Sequence, residues 1–436
     1  MASFSLRLPE NFTDDDRRNI INAHNFEKSF RAHGPVSEDL FYRVPKNAAN
    51  ASAGTLLKVE LETETSCYTL PPNLALSRFI YQSKSSSGSL VPVSAYVLWP
   101  YIARPYKGGQ PVVIWAHGTS GVSDECAPSN SRHLWHHFQL PYQLALNGYV
   151  VVATDYAGLG LGQDGNERPI VHEYLTGPAQ ANDLFYSIPA ARTAFPTISK
   201  DYVVIGSSQG GGAAWAFAEK LSSEPMTGHL GTVILHPVLR LLSLPLENPS
   251  IPLLLTLLAP SLIANFPDFE PRKVFTPEGM QNVDVFRDLK GCSTVLFQLP
   301  SGSKILNPGW YENDTIQQYQ KSASTGRKRF EGPLLVIQGG DDPIVPPNTT
   351  TEAVIETAKM FPSAHIEYHL LPGVTHASAM YAGQHLYMDW IAARFAGKPT
   401  EGGTHMYTAE PVRPTSIQQN EANWFIQIQT SPWQVA

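Results

Sequence analysis

Five short apolar runs constrain this chain more than any other feature: residues 112–116, 149–153, 202–205, 232–235 and 334–337. Each is only four or five residues long, is bounded by turn formers and is followed by a stretch with helical spacing. Such a run is too short for a buried helix and lacks the alternation of a strand with one wet face. It reads as a strand covered on both sides. Strands of that kind alternating with helices imply parallel pairing through right-handed crossovers. The expected fold class is therefore α/β, with a mostly parallel central sheet and helices on both faces. Earlier strand-like runs at 57–63, 76–82 and 91–98 have a turn at 85–88 between the second and third, so the sheet should begin with an antiparallel hairpin. A further strand is expected at 366–370, and helices at 15–30 and 381–395.

The alternation breaks between about residues 240 and 332, a segment rich in Leu, Pro and Phe. No central strand runs through that many prolines, so a mostly helical apolar insertion is expected over one end of the sheet. With 436 residues, the chain has room for one catalytic domain and such an insertion.

Composition narrows the partners. Apolar residues make up 42% and charged residues 16%, which suits a packed core and not a disordered chain. The net charge of −7, with no basic run, argues against nucleic acid. The longest apolar stretch, residues 251–263, is interrupted by Pro260 and is too short to span a membrane. The N-terminus lacks the apolar segment of an export signal, so a cytoplasmic protein is expected if Met1 is the natural start, and a secreted one if it is not. Cys67, Cys126 and Cys292 do not describe a disulfide framework; one bridge is open, but the sequence does not place it. Sequons at Asn11, Asn50, Asn313 and Asn348 arise readily by chance, and glycosylation is not expected.

The chemistry concentrates after the expected strands. Gly206-Ser207-Ser208-Gln209-Gly210 follows one apolar run and precedes an Ala-rich helix. The pentapeptide alone is weak, but in that context it describes a nucleophilic serine on a sharp strand-to-helix turn, with glycines where side chains would collide. A serine hydroxyl needs a base. Asp342, three residues after Gly339 and four before Pro346, is chosen over Asp341, which reads as a turn residue. His376 lies in the loop after the 366–370 strand. The order Ser208, Asp342, His376 would converge at the carboxyl edge of such a sheet. An acyl-transfer intermediate also needs two backbone donors. The amide of Gln209 is one candidate; Thr119, after Gly118 at the end of the 112–116 run, is the other.

With these residues in hand, the chain resembles the secretory lipase (LIP) family of α/β-hydrolases, which includes fungal lipase A enzymes. The resemblance rests on Ala116-His117-Gly118-Thr119-Ser120-Gly121, on Cys126-Ala127-Pro128-Ser129, and on the GSSQGGGAAW, GGDDPIVP and GVTHASAM segments, and it covers about residues 75–396. It implies an α/β-hydrolase fold with a helical lid, ester or lipid hydrolysis, and Ser208, Asp342 and His376 as the triad. Similar intracellular fungal enzymes trim acyl groups from natural products, as trichothecene deacetylases do. The resulting expectation is a serine carboxylic-ester hydrolase acting on a lipophilic small molecule, as a tailoring esterase or a lipase. An acyltransferase or cyclase on the same triad is the first alternative, and a non-catalytic binder the second. The expected organisation is an N-terminal extension with the first strands (1–105), a core with the nucleophile (106–239), the lid (240–331), a core with the acid and histidine (332–400) and a tail (401–436).

Two other motifs carry less. His133 and His137 lie one helical turn apart, but no carboxylate follows at metal-site spacing, and no metal is expected. Gly158, Gly160 and Gly162 lack the rest of a dinucleotide fingerprint, so they read as a glycine loop on the active-site side and no cofactor is expected.

Overall fold

The computed structural model describes residues 8–135, 140–300 and 304–419. Ten strands form one sheet: β1 (Leu56–Glu60), β2 (Ala75–Lys84), β3 (Leu90–Trp99), β4 (Gln110–Ala116), β5 (Val150–Thr154), β6 (Ile198–Ser207), β7 (His229–Leu235), β8 (Leu334–Gly339), β9 (Ile366–Leu371) and β10 (Thr404–Thr408). Their spatial order is β1-β2-β3-β5-β4-β6-β7-β8-β9-β10. The first three strands pair antiparallel, β3 meets β5 antiparallel, and every pair from β5 to β10 is parallel.

All six residues of β8 and all five of β5 are buried, as unalternating apolar runs require. Each fully buried Val or Ile there contributes roughly 1.5–3 kcal/mol. Helices α1 (Asp14–Ser29), α2 (Leu140–Leu146), α3 (Gly177–Ala194) and α4 (Gln209–Ser223) belong to the first half of the chain. The insertion carries α5 (Ile251–Asn265), α6 (Pro271–Val274), α7 (Pro277–Asp288), α8 (Ser293–Leu296) and α9 (Asp314–Ala323). The chain then adds α10 (Pro347–Met360), α11 (Ala379–Ala382) and α12 (Gln384–Phe395). Side chains of α3, α4 and α10 bury one sheet face, and those of α2, α11 and α12 the other. A third apolar cluster holds the insertion together and takes in Ile20 and Ala23 of α1. Among the described residues, no helix is long and apolar enough to cross a membrane.

Three features depart from the sequence reading. The helix expected at 381–395 is broken at Gly383 into α11 and α12. Within the stretch read as tail, Thr404–Thr408 forms an edge strand parallel to β9. Its residues are half-buried or exposed, so it never shows the apolar run of an inner strand. Cys126 and Cys292 form a disulfide across 166 positions, joining the segment after β4 to the turn entering α8. His137 and the last part of the stretch read as tail, residues 420–436, lie outside the described residues.

Helix α1 starts in a capping box between Thr13 and Asp16, with three acidic residues in its first turn to oppose the helix dipole. Its far end docks on the insertion. The Glu27 carboxylate accepts the Cys292 N–H at 3.0 Å and the Val295 N–H at 2.8 Å. Arg31 and Glu125 form an almost fully buried ion pair beside it, at 3.2 Å. Burial pushes Glu27 up to about 7 from 4.5, against the pull of those backbone donors. The folded state therefore keeps a proton that the unfolded chain has already lost. The associated stability is present below about pH 4.5 and is lost as pH rises towards 7. Gln at this position has no proton to lose. Glu27→Gln is expected to gain on the wild type by a few degrees in Tm between pH 4.5 and pH 8, equivalent to about 3 kcal/mol at most. Thermal unfolding of both proteins across that range checks this; a Tm difference independent of pH refutes it.

Candidate active site

The site is built where the sheet reverses its winding. From β4 the chain crosses to β5 on one side, and from β6 it crosses to β7 on the other, so the carboxyl ends of β4 and β6 border a crevice. Ala116 and Gly206 are register partners at that end.

Ser208 sits between β6 and α4 with φ 58° and ψ −117°, a backbone conformation that side-chain-bearing residues rarely adopt. Three backbone hydrogen bonds hold it: its N–H donates to the Leu235 carbonyl at 3.0 Å, and its carbonyl accepts from Gly212 at 3.1 Å and Val238 at 3.2 Å. The glycines explain why the turn can be this tight. A Cβ on Gly206 would overlap the Gly210 carbonyl, and one on Gly210 would overlap the carbonyl of Ala116. The close approach of β4 to α4 thus demands glycine at 210.

The acid and the histidine come from the next two strand ends. Asp342, after β8, is buried, and its Oδ2 accepts from His376 Nδ1 at 2.6 Å. Its other oxygen accepts the Ile344 and Val345 N–H groups, both at 2.9 Å. Gln338 Nε2 adds a fourth donor at 3.2 Å. Neighbouring Asp341 is exposed and only donates its N–H to the Val374 carbonyl, as a turn residue does. His376, in the loop after β9, keeps about a seventh of its side chain exposed. Its ring lies 4.3 Å, centroid to centroid, from that of His236. The His236 Nε2 lies 2.7 Å from the Ser207 hydroxyl, which ties the histidine loop to the residue before Ser208.

Thr119 follows the end of β4, and Gln209 follows Ser208. Gln209 opens α4, where the first amides have no intrahelical acceptor. Neither its N–H nor that of Thr119 donates to a loop or turn carbonyl among the described residues. The helix N-terminus also favours developing negative charge. Thr119 is held by its carbonyl, which accepts from Ser293 Oγ at 2.9 Å. His117, fully buried beside this loop, is driven down to about 4 by desolvation and stays neutral at ordinary pH, so it adds no cation here.

A profile described as the alpha/beta hydrolase family matches residues 113–390, well over half of the chain. The chain belongs to this family. Solved structures agree on the fold. Candida antarctica lipase A in its closed state shares 16% identity and a TM-score of 0.65 over 85% of this chain and 88% of that one. A rice cell wall degrading esterase, LipA from Xanthomonas oryzae, shares 19% identity and a TM-score of 0.59 over 79% and 98%. A hydrolase of Legionella pneumophila, described only as putative in its activity, shares 19% and 0.64 over 79% and 100%. A comparison with curated protein sequences found no match.

The residues singled out from sequence all follow strand ends on one edge of the sheet. Their loops meet there although up to 257 positions separate Thr119 from His376. The sequence reading missed His236, His172 and Tyr174, all of which touch this edge from loops with no recognisable motif. Of the metal reading, His133 is buried and packs against Phe30, with ring centroids 5.0 Å apart. Among the described residues no cluster of His, Cys, Asp and Glu could hold a metal. A small, mainly apolar cleft of about 50 Å³ opens beside Ser120, lined by Phe26, Phe30, Ala127, His133 and Trp135. Neither Ser208 nor His376 lines it, so it lies next to the donor loop and not over the serine.

Proposed function

We propose that this protein is a serine carboxylic-ester hydrolase acting on a lipophilic small-molecule ester through an acyl-enzyme. The observation that carries the reading is the 2.6 Å bond from His376 Nδ1 to buried Asp342, on the same sheet edge as the strained Ser208 turn. Because Asp342 accepts the hydrogen bond from His376 Nδ1–H and so holds the proton on Nδ1, Nε2 of His376 is left as the basic nitrogen. In this reading Nε2 removes the Ser208 proton as Oγ bonds to the ester carbonyl carbon. The carbonyl π electrons move to oxygen, where the Thr119 and Gln209 N–H groups donate to the anion. Collapse expels the alcohol, which takes the proton from His376. Water, deprotonated by the same nitrogen, then releases the acid and frees Ser208.

The names of the structural neighbours, a lipase and an esterase, support ester chemistry. The Cys126–Cys292 bridge favours an oxidising compartment.

The test is hydrolysis of p-nitrophenyl esters from acetyl to long-chain, with products analysed with and without an added alcohol acceptor. Turnover to free acid is expected, and the preferred length separates a tailoring deacetylase from a lipase. Acyl product on the acceptor alone, or no cleavage of any ester above the buffer rate, would overturn the hydrolase reading.

A further inference from the structure

Both oxyanion donors are braced by one short loop that no motif marks. It lies between β5 and α3 and contains His172, Tyr174 and Leu175, the last with φ 50°. His172 is fully buried, and its Nδ1 lies 2.9 Å from the Ala157 carbonyl oxygen. A carbonyl only accepts, so Nδ1 carries the proton. Desolvation drives the ring down to about 4, which keeps it neutral and leaves Nε2 a lone-pair acceptor. At 2.9 Å from Nε2 stands the side-chain amide nitrogen of Gln209, which donates to it. This bond fixes which way the Gln209 amide faces. Among the described residues its buried Oε1 has no partner, so none of them competes on that side with the bond to His172.

Two residues further on, the Tyr174 hydroxyl lies 2.9 Å from Thr119 Oγ1, and Tyr174 is also fully buried. The loop is held in turn from the insertion: Tyr319 of α9 donates its hydroxyl to the Tyr174 and Leu175 carbonyls, 3.1 Å from each. His172 therefore touches one donor residue, Tyr174 touches the other, and Tyr319 anchors both to the lid.

We propose that His172 and Tyr174 are positioning residues of the oxyanion hole, setting the spacing between the Gln209 and Thr119 amides, with Tyr319 coupling that spacing to the insertion. The inference rests on the hydrolase reading above. Its physical content is that a hole preorganised for the transition state binds the tetrahedral oxyanion far better than the ground-state ester. Loosening the brace should thus cost transition-state binding and leave substrate binding nearly untouched.

The experiment compares wild type with Tyr174→Phe, Tyr319→Phe, His172→Phe and His172→Gln, using p-nitrophenyl butyrate as substrate and a trifluoromethyl ketone as the oxyanion-forming inhibitor. Tyr174→Phe and His172→Phe are expected to lower kcat by about 10- to 100-fold, less than the loss of a donor itself, and to weaken the ketone in parallel. KM should stay within about threefold, because ground-state binding is not what the brace supplies. Tyr319→Phe should give a smaller fall in the same two quantities. His172→Gln, which keeps an acceptor for Gln209, should recover part of the loss. The pH profile of kcat/KM should keep its midpoint in every variant, because neutral His172 is not the base. The two tyrosine variants remove only a hydroxyl, so they carry the test if His172→Phe does not fold. Folded variants with kcat and ketone affinity within twofold of wild type overturn the inference, as does a fall in kcat without a matching loss of ketone affinity. A Ser208→Ala control as active as wild type would instead remove the hydrolase reading, and the inference with it.

Discussion

Ser208→Ala is expected to reduce ester turnover by at least about 10⁴-fold with no loss of folded protein. The size follows from what the alanine removes. Without Oγ no acyl-enzyme forms, and only the donors and the binding surface remain to favour attack by water. The intact fold follows from what the alanine leaves. The backbone bonds to Leu235, Gly212 and Val238 do not involve the side chain, and alanine carries the same Cβ as serine, so the strain at φ 58° is unchanged. Tm should therefore shift by no more than a degree or two. A fluorophosphonate makes the same point stoichiometrically: intact-mass measurement should show one phosphonyl group on the wild type and none on the variant. Turnover within tenfold of wild type, or labelling of both proteins, would mean that another residue is the nucleophile.

How far the sequence reached depended on what each signal reports. An inner strand such as β5 is legible because burial on both faces leaves an unbroken apolar run, and the residue just past such a run is fixed at the sheet edge. This is why Ser208 and Asp342 could be singled out after β6 and β8, with Gly339 and Pro346 used to prefer Asp342 over Asp341; His376 was reached instead by chain order, since β9 is only partly buried. Edge strand β10 gave no run, since its side chains stay half in water. The disulfide was illegible for a different reason: with three cysteines and 166 positions between the bonded pair, only the packing of α8 against the β4 loop selects it. Loop-to-loop contacts are hidden in the same way. Thr119 and Tyr174 lie 55 residues apart, and His172 and Gln209 lie 37 apart. Periodicity describes the face of one element, so it is silent about which loops meet beyond the ends of several. The contacts of His172 and Tyr174 belong to that second kind of information, the strand-end positions of Ser208, Asp342 and His376 to the first.

The second large effect is expected at Asp342, and it tests orientation apart from charge. Four donors converge on its two oxygens: the Ile344 and Val345 amides on Oδ1, and His376 Nδ1 and Gln338 Nε2 on Oδ2. Only a group that accepts everywhere satisfies all four, which is the property of a carboxylate. Asparagine has one accepting end. The two backbone amides cannot turn away, so the carbonyl oxygen is held on their side and the NH₂ is left facing His376. Nδ1 must then become the acceptor, and the proton moves to Nε2, the nitrogen that should take the proton from Ser208. Asp342→Asn is therefore expected to keep the fold and the KM while kcat falls by about 10⁴-fold, the cost of the wrong imidazole tautomer. Asp342→Ala removes the facing NH₂ and leaves Nδ1 free to carry the proton part of the time. Although it deletes more of the side chain, it should retain at least as much activity as the asparagine variant. An ordering with Asn well above Ala, or a loss of less than tenfold in Asp342→Asn, would show that Asp342 does not set the tautomer of His376.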